Sequence, residues 1–306
     1  MNRHDPFHKN EPMSLIESPP SEVTDEDIDR LDFLLKDIDS DIALSMAYVR
    51  RVHQVSFKDL KSKFIGINVD TLQKYMQPSY QGHRPLHVVA AFSWMMMVPM
   101  TAFYYGLRLR EYYRGMEDAS VEALIRTGKI PLCQFNAVLT IITQLYSDKD
   151  KKEFDVFRSE LEGIKEYQGI NYDNLLPPER LDLEVFGEDY YRSLAIKLKK
   201  FRTAFSISTE TMCRVLGISQ YQYQILENEN KPVAFSVAVG FRGKLGFKLN
   251  SHVSFTSEMT SFPQFHYLRV AQHVRDTLIV EAMRRLNSKQ KKHVSQILFS
   301  LSKLYI

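Results

Sequence analysis

Two cysteines, twelve glycines and a single tryptophan among 306 residues remove several classes of protein at the outset. Cys133 and Cys213 stand far apart, each in an apolar helical context, so there is neither a disulfide framework nor a thiolate set for zinc. That usage suits a reducing cytoplasm. There is no glycine-rich phosphate loop, no HExxH, no GxSxG and no CxxC. His53, His83, His87, His252, His266, His273 and His293 are scattered without carboxylates at ligand spacing, and no Arg-His-Arg-Tyr set of the recombinase kind assembles. No catalytic residue, metal ligand or cofactor is therefore assigned. The longest apolar stretch, Val88 to Tyr105, is interrupted by Ser93, Pro99 and Thr101, which fits a buried helix and its neighbour better than a membrane span. The N-terminus is acidic and proline-containing with no hydrophobic signal segment, so secretion is not expected.

What is present is 44% apolar content, enough for a substantial core in two or three domains, and a charge that is segregated along the chain. The formal net charge of +3 conceals −8 over residues 1–42, +5 over 43–84, −6 over 100–189, +7 over 190–250 and +6 over 263–306. Clustered cations such as Arg192, Lys197, Lys199, Lys200 and Arg202 suit the neutralisation of phosphates, and an exposed, solvated helix face would also carry them.

The +7 segment contains the densest local signal. Ser208 is an N-cap, Met212, Val215 and Leu216 recur at helical spacing, and Gly217 stands where the chain must bend sharply. Ser219 can cap a second helix whose Tyr223 and Leu226 face inward. Gln220, Tyr221, Gln222 and Gln224 then face outward, and glutamine matches the donor and acceptor pattern of an adenine edge. The same spacing also describes a simple packed αα-hairpin.

From Ser193 to Phe247 these residues resemble the helix-turn-helix of the phage Cro and repressor family, also called the XRE family. The likeness rests on the first-helix pattern, on LGIS at the turn and on LEN-x-x-KP from Leu226 to Pro232. The chain departs from the family where Thr209 replaces a common glutamine, Cys213 a common small residue and Glu229 a common glycine. The resemblance implies double-stranded DNA as partner. Phosphate contacts are expected from Lys199, Arg202, Lys231 and the shorter donor Thr209, with base reading from Gln220, Tyr221, Gln222 and Gln224 and with the capping Ser219 among the DNA-binding residues. It also implies a bacterial, phage or plasmid origin.

Residues 43–98 read as a second, degenerate copy. Ser56 caps a helix carrying Leu60 and Phe64, Ile65-Gly66-Ile67 makes the turn, and Asn68 caps a second helix with Asp70, Thr71, Gln73 and Lys74 outward. In this reading Arg84-Pro85 echoes Lys231-Pro232 after a loop about four residues longer, Ala90-Ala91-Phe92 echoes Val239-Gly240-Phe241, and Leu60 lies one place from the slot of Met212. The alternative is an ordinary helical core segment. A genuine duplication would give one chain two reading heads.

The expected architecture is mainly α: tandem helix-turn-helix domains joined by a helical connector, with a C-terminal helical region. A mobile arm covers 1–22, with Pro6, Pro12, Pro19 and Pro20. An acidic helix running through Asp41 plus the degenerate unit covers 23–100, and the solvated orientation of its acidic face is favoured over one that shuts a basic surface. An acidic connector with helices around 103–114, 120–127, 131–146 and 152–167 covers 101–189, with 169–178 as linker. The Cro-like unit covers 190–250. In residues 233–255 the alternation of Val233, Phe235, Val237, Val239 and Phe241 suits a wing-like hairpin, whereas the resemblance favours helix, and helix is chosen. Residues 251–306 form a region whose Leu268, Val274, Leu278, Ile279 and Met283 suit a dimer helix, hence a homodimer. The acidic middle is a candidate surface for a protein partner. The leading function is a sequence-specific DNA-binding transcriptional regulator. Its alternative is a protein-binding adaptor or anti-repressor on the same scaffold, and a DNA-acting enzyme or its accessory subunit is a weaker third reading.

Overall fold

The computed structural model describes residues 23–103, 116–249 and 253–305. These are mainly α-helical, with one pair of two-residue strands. The proposed arm, and the helix expected over 103–114 except for its first residue, lie outside the described residues.

Thr24 opens α1 (Asp25–Leu35) with a capping box to Asp27, and Asp25, Glu26 and Asp27 complement its N-terminal dipole. The acidic helix expected to run through Asp41 instead breaks at Lys36–Asp37, and α2 (Ile38–Val52) restarts with Ile42, Met46 and Val49 fully buried. Ser56 forms a capping box with Asp59 to start α3 (Phe57–Lys63), and Asn68 caps α4 (Val69–Tyr75). Next comes α5 (Leu86–Met96), mostly apolar and buried at every position except half-buried His87. After a 3-10 turn at Met100–Phe103 follow α6 (Asp118–Thr127), α7 (Leu132–Thr143) and α8 (Asp148–Glu162). The long α9 (Leu183–Ala204) leads to α10 (Thr209–Leu216), α11 (Gln220–Leu226) and α12 (Val237–Gly246). The chain closes with a 3-10 turn at Val253–Thr256, α13 (Pro263–Arg284) and α14 (Ser288–Ser302). Residues 237–246 are thus helical, with Ser236 as N-cap.

The two units share element positions over a longer stretch than the sequence suggested. A shift of 151 carries α4 onto α11, cap Asn68 onto Ser219, Gly66 onto Gly217 and buried Leu72 onto buried Tyr223. The same shift carries Pro85, the N-cap of α5, onto Ser236, the N-cap of α12. Pro85 therefore pairs with Ser236 rather than Pro232, and Ala90 with Phe241. The loop between turn and following helix has the same length in both copies, so the extra four residues were an artefact of matching the two prolines. Before the turn the shift is 152, which aligns Ser56 with Ser208 and Leu60 with Met212. The one additional residue in the first copy is absorbed where Phe64 and Ile65 leave the helix as strand β1. All four non-glycine residues with positive φ among the described residues fall into equivalent pairs, Gln54 with Ser206 and Met97 with Lys248.

The correspondence continues into the segment expected to be a connector. Ile130 N donates to Thr127 O as Leu286 N does to Met283 O, and the caps Pro131 and Asn287 begin α7 and α14. Residues 116–143 therefore correspond to 272–299. The face of α13 read as a dimer surface is buried inside the chain, where α13 packs on α6 and α7.

The two halves interlock reciprocally. α5 packs on α9 of the other half, and α12 packs on α2. Each half's leading segment docks on the other half's helix-turn-helix unit. β2 (Leu181–Asp182) pairs in parallel with β1 (Phe64–Ile65), placing Phe64 opposite Leu181, while α1 packs on α12. At the centre, Leu86 N donates to Phe235 O at 3.0 Å and Val237 N donates to Arg84 O at 2.8 Å. Since Leu86 corresponds to Val237 and Arg84 to Phe235, these two bonds exchange under a two-fold rotation. The bridge therefore lies on a local two-fold axis that relates equivalent residues of the two halves.

The 169–178 segment is anchored rather than loose. Tyr172 is buried with the Arg275 guanidinium 3.9 Å from its ring centre, and Arg275 donates to the carbonyls of Thr127 and Ile130. No described helix is long and apolar enough to cross a membrane.

His53 is 6% exposed, and burial, with Lys129 next in weight, lowers its pKa to about 4. Between about pH 4 and 6.5 the unfolded chain binds a proton that the folded chain refuses, so His53's contribution is complete above 6.5 and lost as pH falls. Urea midpoints should fall over that window by an amount on the order of 2–3 kcal/mol in stability, with the His53 ring still neutral at pH 5.5 by NMR. A flat profile from pH 6.5 to 4 would contradict this.

Candidate nucleic-acid interface

The geometry of the second unit starts at α10. Ser208 Oγ accepts from Thr211 N at 3.0 Å, and Met212, Val215 and Leu216 are buried. Gly217 ends the helix at φ 68°, where a β-carbon would be strained and would lie 2.7 Å from Arg242 Nε. α11 then opens on a reciprocal box: Gln222 N donates to Ser219 Oγ at 3.2 Å, and Ser219 N donates to Gln222 Oε1 at 2.9 Å.

The inner face of α11 is fixed by a network that the sequence reading missed. Buried Tyr223 donates its hydroxyl to Glu227 Oε1 at 2.6 Å, and Arg202 donates through Nε to the same oxygen at 2.8 Å and through Nη2 to Oε2 at 3.2 Å. Burial first, and Glu227 second, raise the tyrosine pKa well above its ordinary value, so the hydroxyl stays protonated and donating. The Tyr223–Glu227 spacing of four was the available signal.

Arg202 is thereby a positioning residue for α11 rather than an idle cation. Other members of the expected phosphate cluster are engaged in the same way. Lys197 and Lys200 pair with Glu258 at 3.5 and 2.7 Å, and Arg192 pairs with Asp189 at 3.2 Å. Arg214 pairs with Asp25, and Arg242 with Asp32; both carboxylates stay exposed, so the acidic face of α1 is solvated while two of its acids reach this unit. Lys199 and Lys231 are exposed and form no ion pair among the described residues. Thr209 is half-buried as the first residue of α10.

What α11 leaves outside is a polar face. Ser219, Gln220, Tyr221, Gln222 and Gln224 are exposed, and Tyr221 is 72% exposed. Ser219 and Gln222 are committed to the cap through Ser219 Oγ and Gln222 Oε1. No protein-family model, curated protein or solved structure matches the chain. The expected likeness to the Cro and repressor unit therefore rests on the sequence pattern alone.

In the first unit, Asn68 Oδ1 accepts from Asp70 N at 2.9 Å, Asp70, Gln73 and Lys74 are exposed, and Thr71 is half-buried. Its cations differ from those of the second unit. Arg51, Lys58, Lys61 and Lys74 are all exposed, and none forms an ion pair among the described residues. Lys58 and Lys61, on α3, were absent from the expected site.

Proposed function

We propose that the chain is a sequence-specific DNA-binding regulator that reads duplex DNA through the outer face of α11. One observation carries the reading: a short helix capped at its start, locked at its end by Tyr223–Glu227–Arg202, and presenting Gln220, Tyr221 and Gln224 to solvent. Fixing the inner face while leaving glutamines outside is what bidentate contact with adenine requires. Such a protein works by occupancy, in the cytoplasm of a cell carrying its operator.

The competing reading is an adaptor or anti-repressor that binds protein on the same scaffold. The engagement of Lys197, Lys200, Arg202, Arg214 and Arg242 by internal carboxylates favours it, because those cations are then less available to phosphate.

Selection of bound duplexes from genomic fragments at two salt concentrations separates the two. Full-length protein should recover a recurrent motif with affinity falling steeply as salt rises. The variant Gln220→Ala/Tyr221→Ala/Gln224→Ala, which leaves the cap intact, should bind random duplex as before and lose about 5- to 150-fold in preference for the motif per glutamine contact. A motif indifferent to the variant removes α11 as the reading helix, and recovery of no motif favours the adaptor.

A further inference from the structure

The local two-fold axis and the unequal charge of the two units bear on how DNA would be engaged. A two-fold axis relating two reading helices is the symmetry of duplex DNA carrying an inverted repeat, and operators mirror the symmetry of what binds them. Here that axis runs between Pro85 and Ser236 within one polypeptide. The reading helices end close to it in sequence: α4 and α11 each stop ten residues before the bridge. In the first half the link is also physical, because Arg84, whose carbonyl is in the bridge, donates from Nε to Tyr75 O at 2.8 Å and from Nη2 to Gln77 O at 2.7 Å. The end of α4 is thus tied to that axis by a side chain that is 1% exposed.

The halves then differ in what they offer. The outer face of α11 has Gln220, Tyr221 and Gln224, while most cations around it pair with internal acids. Around α4 the reverse holds, with Lys58, Lys61 and Lys74 exposed and outside any ion pair among the described residues. A carboxylate at Asp70, where the second half has Tyr221, limits that face to a different base edge.

Resting on the regulator reading above, we propose that the two halves form one composite DNA-binding face, a fused and asymmetric equivalent of a two-fold dimer. A single chain spans one imperfect inverted repeat. The α4 half anchors phosphates with its free lysines, and the α11 half reads the more tightly specified half-site. Both heads are needed on one duplex, and a second copy of the chain is not.

The test uses the full chain and the duplex it selects. Native mass spectrometry should show one chain per duplex, and footprinting should show two protected segments of inverted polarity about one helical turn apart. Inserting five base pairs between them turns one half-site to the opposite side of the duplex and should weaken binding at least 100-fold. Lys58→Ala/Lys61→Ala/Lys74→Ala, all at exposed positions, should preserve the motif while reducing the slope of log affinity against log salt by about 2 to 3. Two chains per duplex, a direct repeat, indifference to the insertion, or an unchanged slope would overturn the composite face while leaving the regulator reading in place. Failure to select any motif would overturn the regulator reading itself.

Discussion

Arg84→Met should lower the stability of the folded chain by about 3–5 kcal/mol, read from urea unfolding at neutral pH. The side chain is 1% exposed and its guanidinium donates to Tyr75 O, Gln77 O and Gly82 O, with Asp39 Oδ1 3.4 Å away. Methionine fills comparable volume but takes the guanidinium away from Tyr75 O and Gly82 O, while Gln77 O keeps Tyr80 N and Asp39 Oδ1 keeps the Arg84 backbone N–H; each acceptor orphaned in this way costs about 1–3 kcal/mol. Arg84→Lys retains the charge yet offers a point donor in place of a planar fork, so it should recover less than half of the loss. A loss below about 1 kcal/mol for the methionine variant would show that water replaces the guanidinium, and that the end of α4 is not held by it.

Arg84 also illustrates what was legible in the sequence. Its neighbour Pro85 invited comparison with Lys231-Pro232, because proline is the most conspicuous punctuation in a loop. The structural equivalence instead follows helix starts and backbone hydrogen bonds, and a proline N-cap in one half matches a serine N-cap in the other. Local chemistry was readable wherever a residue acts on its own neighbours. Ser208, Ser219, Ser56 and Asn68 cap as expected, and Gly66 and Gly217 take up positive φ. Helix was the better choice over 237–246 despite three glycines. Gly240 and Gly246 pack so closely against Leu86 and Val215 that a β-carbon would lie 2.8 and 2.5 Å from their side-chain atoms.

The unreadable part was everything that depends on one half touching the other. Asp25 and Asp32 are about 190 and 210 residues from Arg214 and Arg242 in sequence, and only the fold brings them together. A charge tally by segment is blind to such pairing. The +7 of residues 190–250 suggested a phosphate-binding surface, but Glu258 and Asp189 lie against it and two exposed acids of α1 reach it. The +5 of residues 43–84 keeps Lys58, Lys61 and Lys74 exposed. Likewise, the apolar stripe on α13 correctly announced a packing face and could not say that the partner was α6 of the same chain.

Asp189 carries the second large expectation, because it joins the two parts of the second half. It is 6% exposed at the buried side of α9, and its two oxygens collect the start of α13: Thr260 N at 3.0 Å on Oδ1, Ser261 N at 2.8 Å and Phe262 N at 3.1 Å on Oδ2. Arg192 adds a charged donor at 3.2 Å, and itself donates to Glu258 O at 2.6 Å. Asp189→Ala removes the acceptor for three adjacent backbone donors and takes one charged partner from Arg192, so it should cost about 3–5 kcal/mol. Asp189→Asn keeps one acceptor oxygen but turns an NH2 group toward backbone donors, and should cost most of the same amount. The damage should be local before it is global. Phe262 packs edge-on to Trp94, with ring centres 6.0 Å apart, so loosening the 260–262 segment should change Trp94 fluorescence at urea concentrations below the main transition. A single transition with unchanged early fluorescence, at wild-type midpoint, would mean that the 260–262 backbone finds other acceptors and that the carboxylate does not hold α13 to α9.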